Sequence, residues 1–213
     1  MTLMKHPAFF IYAIISFFCF SLQAQQIKIG NYTFPGGGEY QGELFKGKPY
    51  GNGKTVYPNG DYHEGEYVKG KRQGRGTSQF ADGEKYEGEW YQDQQHGKGT
   101  YYFSNNNRYE GLWFKDFQQG LGTMYYYNGD TYVGSWVQDK REGNGRYTFA
   151  HNGEYYEGGW KNDMKEGQGV FDWKDGNRYE GSWHENQKHG KGTFTPAKSK
   201  GKQDRKELKG LSR

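Results

Sequence analysis

The residues of this chain that could do chemistry come in copies. Glu87 and Glu89 stand two apart, as do Glu64 and Glu66. Such pairs could serve glycoside hydrolysis, which needs two carboxyls about 5–10 Å apart across a cleft. An acid and a base need unlike surroundings, however, and repeated copies give every pair the same one. His63, His96, His151, His184 and His189 are spread along the chain rather than grouped at metal-ligand spacing, and read as loop residues bonded to backbone. Gly53-Lys54-Thr55 ends like a phosphate loop, but the loop's first glycine would fall at Lys48. The single cysteine, Cys19, lies in an apolar N-terminal run and leaves no thiolate for later use. No catalytic, metal or cofactor-binding residue is therefore assigned, and the expectation is a protein that is not an enzyme, has no cofactor and has no small-molecule substrate.

These residues share a period. A tyrosine position recurs at Tyr40, His63, Tyr86, Tyr109, Tyr132, Tyr156 and Tyr179, stepping by 23 residues except for one extra residue near Asn152. Self-similarity at this period marks an array of stacked units, each touching its neighbours. Asn59-Gly60, Asp82-Gly83, Asn105-Asn106, Asn128-Gly129, Asn152-Gly153 and Asp175-Gly176 predict tight two-residue hairpin turns. Polar stretches such as 92–96 and 138–142 predict longer loops. Two short strands per repeat follow, in an all-β, elongated, twisted single-layer antiparallel meander of about seven hairpins. About 15 strands at roughly 4.8 Å each would extend about 70 Å.

Glycine supplies 35 residues and Phe, Trp and Tyr make up 19% of the chain, so the core must be aromatic and thin. Alternation puts Tyr86, Gly88 and Trp90 on one face. It does the same for Tyr109, Gly111 and Trp113; Tyr132, Gly134 and Trp136; Tyr156, Gly158 and Trp160; and Tyr179, Gly181 and Trp183. Gly97, Gly99 and Phe103 belong to the second strand of the third repeat. Rings are expected to lie over glycines of adjacent strands, which lack a Cβ. The opposite face carries Glu87, Glu89, Glu110, Glu157 and Glu180 and reads as solvated.

Tyr-x-Gly-x-Trp followed by a Gly-x-Gly pair, as in Gln95-His96-Gly97-Lys98-Gly99 and Lys188-His189-Gly190-Lys191-Gly192, resembles the MORN (membrane occupation and recognition nexus) repeat. His63, Leu44 and Tyr67 depart from the pattern. The resemblance divides the chain into a half-repeat at 27–39 and repeats at 40–62, 63–85, 86–108, 109–131, 132–155, 156–178 and 179–196, within an array spanning 25–196. It implies an elongated sheet used in scaffolding, self-association, protein binding or membrane proximity, without chemistry of its own.

The ends are of other classes. Lys5 and His6, an apolar run over residues 8–20 and a small residue at Ala24 read as a signal peptide over 1–24, hence an exported protein of a bacterial periplasm, envelope or extracellular space, with an uncleaved membrane anchor as the weaker alternative. The apolar run is short for a membrane span of about 20 residues. Residues 197–213 form a basic tail, expected to be disordered, with a net charge of +5 against +4 for the whole chain. Its Lys198, Lys200, Lys202, Arg205 and Lys206 are candidate contacts to an anionic membrane surface. The near-neutral repeat body disfavours nucleic acid. A protein partner, or a second copy, is the leading expectation. Its candidate contacts are Tyr101, Phe114, Phe117, Met124, Tyr147, Met164 and Phe171. A glycan is the distant alternative.

Overall fold

The computed structural model describes residues 26–198. The expected signal peptide and the tail beyond Lys198 lie outside the described residues. Fifteen strands form one open antiparallel sheet in which each strand pairs only with its sequence neighbours. They are β1 (Lys28–Thr33), β2 (Glu39–Phe45), β3 (Lys48–Val56), β4 (Tyr62–Val68), β5 (Lys71–Gln79), β6 (Lys85–Tyr91), β7 (Gln94–Tyr102) and β8 (Arg108–Phe114). After them come β9 (Phe117–Tyr125), β10 (Thr131–Val137), β11 (Lys140–Thr148), β12 (Tyr155–Lys161), β13 (Met164–Asp172), β14 (Arg178–His184) and β15 (Gln187–Thr195). No helix occurs among the described residues. The all-β meander expected from the period is the observed fold.

The two kinds of turn are the reverse of the sequence expectation. Between β3 and β4 the Asn-Gly site is a three-residue loop. The Gly60 amide donates to the Tyr57 carbonyl at 3.0 Å, the Tyr57 amide donates to Asp61 at 2.9 Å, and Gly60 is left-handed at φ 91°. A type I turn closed by one left-handed glycine gives this geometry. The supposed long loops are instead two-residue turns with both residues left-handed, such as Gln92 (φ 50°) and Asp93 (φ 72°). Their sequences carry little glycine because aspartate or asparagine side chains hold them. The Arg72 amide donates to Asp93 Oδ1 at 2.8 Å while the Asp93 amide donates to the Arg72 carbonyl at 3.1 Å. The same clasp joins Asp116 to Gln95, Asp139 to Gln118, Asp163 to Arg141 and Asn186 to Lys165. Asx residues tolerate the left-handed region and bond to nearby backbone, which is why they substitute for glycine here.

The other margin is stitched likewise. Asp61, Glu84, Asn107, Asp130, Glu154 and Asn177 accept from the backbone amides of Ala81, Ser104, Tyr127, Ala150, Lys174 and Ala197, one repeat on.

One glycine from every strand, Gly30 through Gly192, pairs with the glycine of the next, a file crossing the whole sheet. The tyrosines lie along this file. A Cβ on Gly99 would collide with the Tyr86 ring, and the Tyr86 hydroxyl donates to the Glu89 carbonyl at 3.0 Å, beside a bulge in the β6–β7 pairing. Each tryptophan of a first strand, Trp90, Trp113, Trp136, Trp160 and Trp183, then stands edge-on between two tyrosine positions. Trp113 is 5.2 Å from Tyr109 and 5.4 Å from Tyr86, and its indole donates to the Gly99 carbonyl at 3.2 Å. Edge-to-face contacts of this kind add about 0.5–1.5 kcal/mol each beyond burial.

Candidate partner-binding surface

The glycine file separates two unlike faces. The aromatic face is the core. Tyr86, Trp90, Tyr109, Trp113, Tyr132, Trp136, Tyr156, Trp160, Tyr179 and Trp183 are buried in one cluster, with Phe103 packed against it. Burial pushes the Tyr40 and Tyr156 hydroxyls up to about 12. Two residues assigned as partner contacts belong to this cluster: Met124 and Phe171 are buried, because their strand positions face the next repeat's tryptophan. Tyr101 and Tyr147 are half-buried, their hydroxyls donating to the Glu84 and Asp130 carboxylates. Met164 is half-buried at the start of β13. Phe114 and Phe117 are exposed.

The histidines were expected in loops, yet four lie on strands. His63 replaces a core tyrosine and is fully buried, its Nδ1 2.9 Å from the Ser78 hydroxyl. Burial, with Arg72 nearby, lowers its pKa to about 3. His96 sits 5.6 Å from the Tyr91 ring and 5.2 Å from Phe114. His184 lies in β14 and His189 in β15. Among the described residues no three His, Cys, Asp or Glu side chains converge as metal ligands.

The polar face holds a groove of about 1190 Å³ running across the strands, floored by the glycine file. One wall alternates Lys54, Glu64, Thr77, Glu87, Thr100 and Glu110; the other carries Asn52, Arg75, Glu89, Lys98, Leu112 and Leu121. The carboxylates are structural neighbours of cations rather than a free acid–base pair. Lys85 bridges Glu87 at 2.8 Å, Arg108 bridges Glu110 at 3.0 Å, and Lys54 lies 3.8 Å from Glu64. Glu66 accepts from the Arg75 amide at 2.9 Å, bracing a left-handed glycine, Gly74. Glu87 and Glu89 are only half-exposed, so the solvated reading of this face needs that amendment.

The MORN repeat family matches residues 40–62, 63–85, 86–108, 109–131, 132–151, 156–178 and 179–195, more than half of the chain. The chain belongs to the MORN repeat family. The matched segment ending at 151 stops where the extra residue near Asn152 enlarges the loop. Comparison with curated proteins gives no match. Among solved structures, the wild-type TCP10 domain of Danio rerio CPAP is similar at 13% identity, over 72% of this chain and 83% of that one, with a TM-score of 0.24. A point mutant of that domain matches at the same identity and TM-score over 82% of its chain. MORN repeat proteins are generally non-catalytic, and membership suggests a scaffold or interaction role.

Within the MORN array several positions vary between repeats, and at one group of them polar residues give way to apolar ones. The fourth position of the first strand is Glu43, Glu66 and Glu89 in the first three repeats and Leu112 in the fourth. In the second strand of the same repeats, Asn52, Arg75 and Lys98 give way to Leu121, which is 68% exposed. Where Glu64, Glu87 and Glu110 stand, the fifth repeat has Val133. With exposed Tyr91, Phe114, Phe117 and Val137, these side chains make an apolar patch on the polar face, at the end of the groove. Sequence reasoning found only Phe114 and Phe117. The missed signal was the departure of Leu112, Leu121 and Val133 from the chain's own pattern.

Proposed function

We propose that this chain is a non-catalytic scaffold that docks a protein partner on the polar face of its third to fifth repeats. One observation carries the reading: exposed leucine and valine stand at repeat positions that the other repeats fill with charged or polar residues or glycine, among them Glu66, Glu89, Arg75 and Lys98. Exposed apolar patches rimmed by polar residues mark interaction surfaces. The groove leading to the patch suits an extended segment, with Leu112 and Leu121 as its apolar anchor. The layout of residues 1–24 supports placing this encounter outside the cytoplasm, in a bacterial envelope. The membrane-apposed alternative rests on the aromatic face and the basic tail contacting anionic lipid, and flotation with anionic vesicles tests it directly.

The experiment returns the patch to the array's own pattern with Leu112→Glu and Leu121→Lys. Cross-linking in the native envelope, followed by mass spectrometry, should lose a specific partner while the far-ultraviolet spectrum and melting temperature stay unchanged. Undiminished cross-linking by a folded double variant would remove this face from the proposal. Vesicle binding that tracks residues 197–213 instead would favour the lipid reading.

A further inference from the structure

The sheet begins and ends on the same kind of strand. Each repeat contributes a first strand of the Tyr-x-Gly-x-Trp type, with Leu44, His63 and Tyr67 as its departures, and a second bearing Gly-x-Gly, and the two alternate across the sheet. β1 carries Gly30 and Tyr32 at second-strand positions, and β15 is the second strand of the last repeat. Among the described residues both edges therefore lack a first-type neighbour. β15 reads Gln-Lys-His-Gly-Lys-Gly-Thr-Phe-Thr; β7 reads Gln-Gln-His-Gly-Lys-Gly-Thr-Tyr-Tyr and agrees with it at six of nine positions. Yet β7 is an interior strand paired with β8, whereas all nine residues of β15 are exposed.

We infer that β15 is a docking edge for an extended segment of a partner polypeptide carrying aromatic-x-Gly-x-Trp, added as a sixteenth antiparallel strand. The array itself shows what such an edge accepts. In every earlier case from β5 onward, the glycine carbonyl of the second strand receives a tryptophan indole: Gly76 from Trp90, Gly99 from Trp113, Gly122 from Trp136, Gly145 from Trp160 and Gly169 from Trp183. Gly192 is the next carbonyl in that series, and among the described residues no tryptophan lies beyond Trp183 to reach it. Phe194 holds the position of Tyr101, whose ring lies 5.8 Å from Trp113 of the next strand; Phe194 is 55% exposed. Lys191 is no obstacle, because Lys98 holds its place in β7 and pairs with Leu112. A second copy does not supply the missing strand, since its own free edges, β1 and β15, are both of the second type. Edge strands left long and unblocked are templates for strand addition.

The register follows from β7 and β8. Gly192 faces the partner's glycine, Phe194 its first aromatic and Gly190 its tryptophan, as Gly99, Tyr101 and Gly97 face Gly111, Tyr109 and Trp113. The probe is a synthetic peptide copying residues 107–115, added to the full protein, with amide hydrogen exchange read by mass spectrometry. Exchange over residues 187–195 should slow about tenfold or more. The Trp113→Phe peptide should bind about fivefold more weakly for its one lost hydrogen bond. The Gly111→Val peptide should not protect β15, because a side chain there displaces the Tyr109 ring from its glycine. Equal protection by a scrambled peptide would overturn the inference. So would protection confined to β1, or β15 amides as slow in the free protein as those of β7.

Discussion

His63 gives the sharpest test of how the aromatic layer holds together. Six repeats place tyrosine at this position, and its hydroxyl satisfies a carbonyl near the bulge, as Tyr86 does for Glu89. His63 cannot, and its Nε2 is buried without a partner. The ring is held neutral by burial, with Arg72 opposing a second positive charge, and its pKa falls from 6.5 to about 3. The unfolded chain therefore binds a proton below about pH 6.5 that the folded chain refuses until about pH 3. Stability rises with pH wherever the unfolded state binds more protons, so acidification through this window destabilises the fold. Between pH 7 and pH 5 the loss from this one group is about 2 kcal/mol, at 1.36 kcal/mol per pH unit once the unfolded imidazole is titrated.

The assay is urea denaturation at both pH values, for the wild type and for His63→Tyr. The comparison cancels the other titrating groups common to both chains. Trp90, whose ring is 4.9 Å from His63, reports the local event by fluorescence. Hydrogen exchange should show the acid-labile region centred on β4 and β5, because an array transmits stability mainly between neighbours. The variant should lose about 2 kcal/mol less than the wild type on going to pH 5. Parallel pH dependences for the two proteins would refute the account of a buried neutral imidazole.

Two further perturbations test the glycine file and the turn clasp. Gly99→Ala should destabilise by about 1–3 kcal/mol in urea melts, since the added methyl collides with the Tyr86 ring, and Tyr86→Ala should relieve part of that cost in a double-mutant cycle. Asp139→Ala should cost about 1–2 kcal/mol by leaving the Gln118 amide unpaired and a left-handed turn unsupported, while Asp139→Asn should be near neutral, as Asn186 already does this work in the last repeat.

The strand count, the meander and the single-sided aromatic core were legible because each rests on a side-chain property that the period repeats: rings where burial is needed, glycine where a ring must lie flat. The turns were not legible, because glycine content stands for left-handed backbone only when nothing else stabilises it. At Gln92-Asp93 a carboxylate anchored to the previous hairpin does so, and that bond joins residues 21 apart. Met124 and Phe171 were misplaced for a related reason. Their faces are decided by the tryptophan of the following repeat, a contact no single repeat contains.

The same reasoning says where function should be sought in such a chain. Residues that obey the period are accounted for by stacking: Asp139 by its clasp, Tyr132 by Gly145 and Trp160, Glu110 by Arg108. Each copy of a conforming residue also meets nearly the same surroundings, so none can be tuned for one ligand without changing all. Selectivity has to reside where the copies differ or where the series stops. On this sheet those places include the apolar substitution at Leu112, Leu121 and Val133, and the edge at β15, which has an interior strand's sequence without such a strand beside it among the described residues. The two surfaces lie on different repeats, so Leu112→Glu with Leu121→Lys should leave peptide protection of β15 unchanged, and joint loss would mean that the sheet had unfolded rather than that either surface had been correctly assigned.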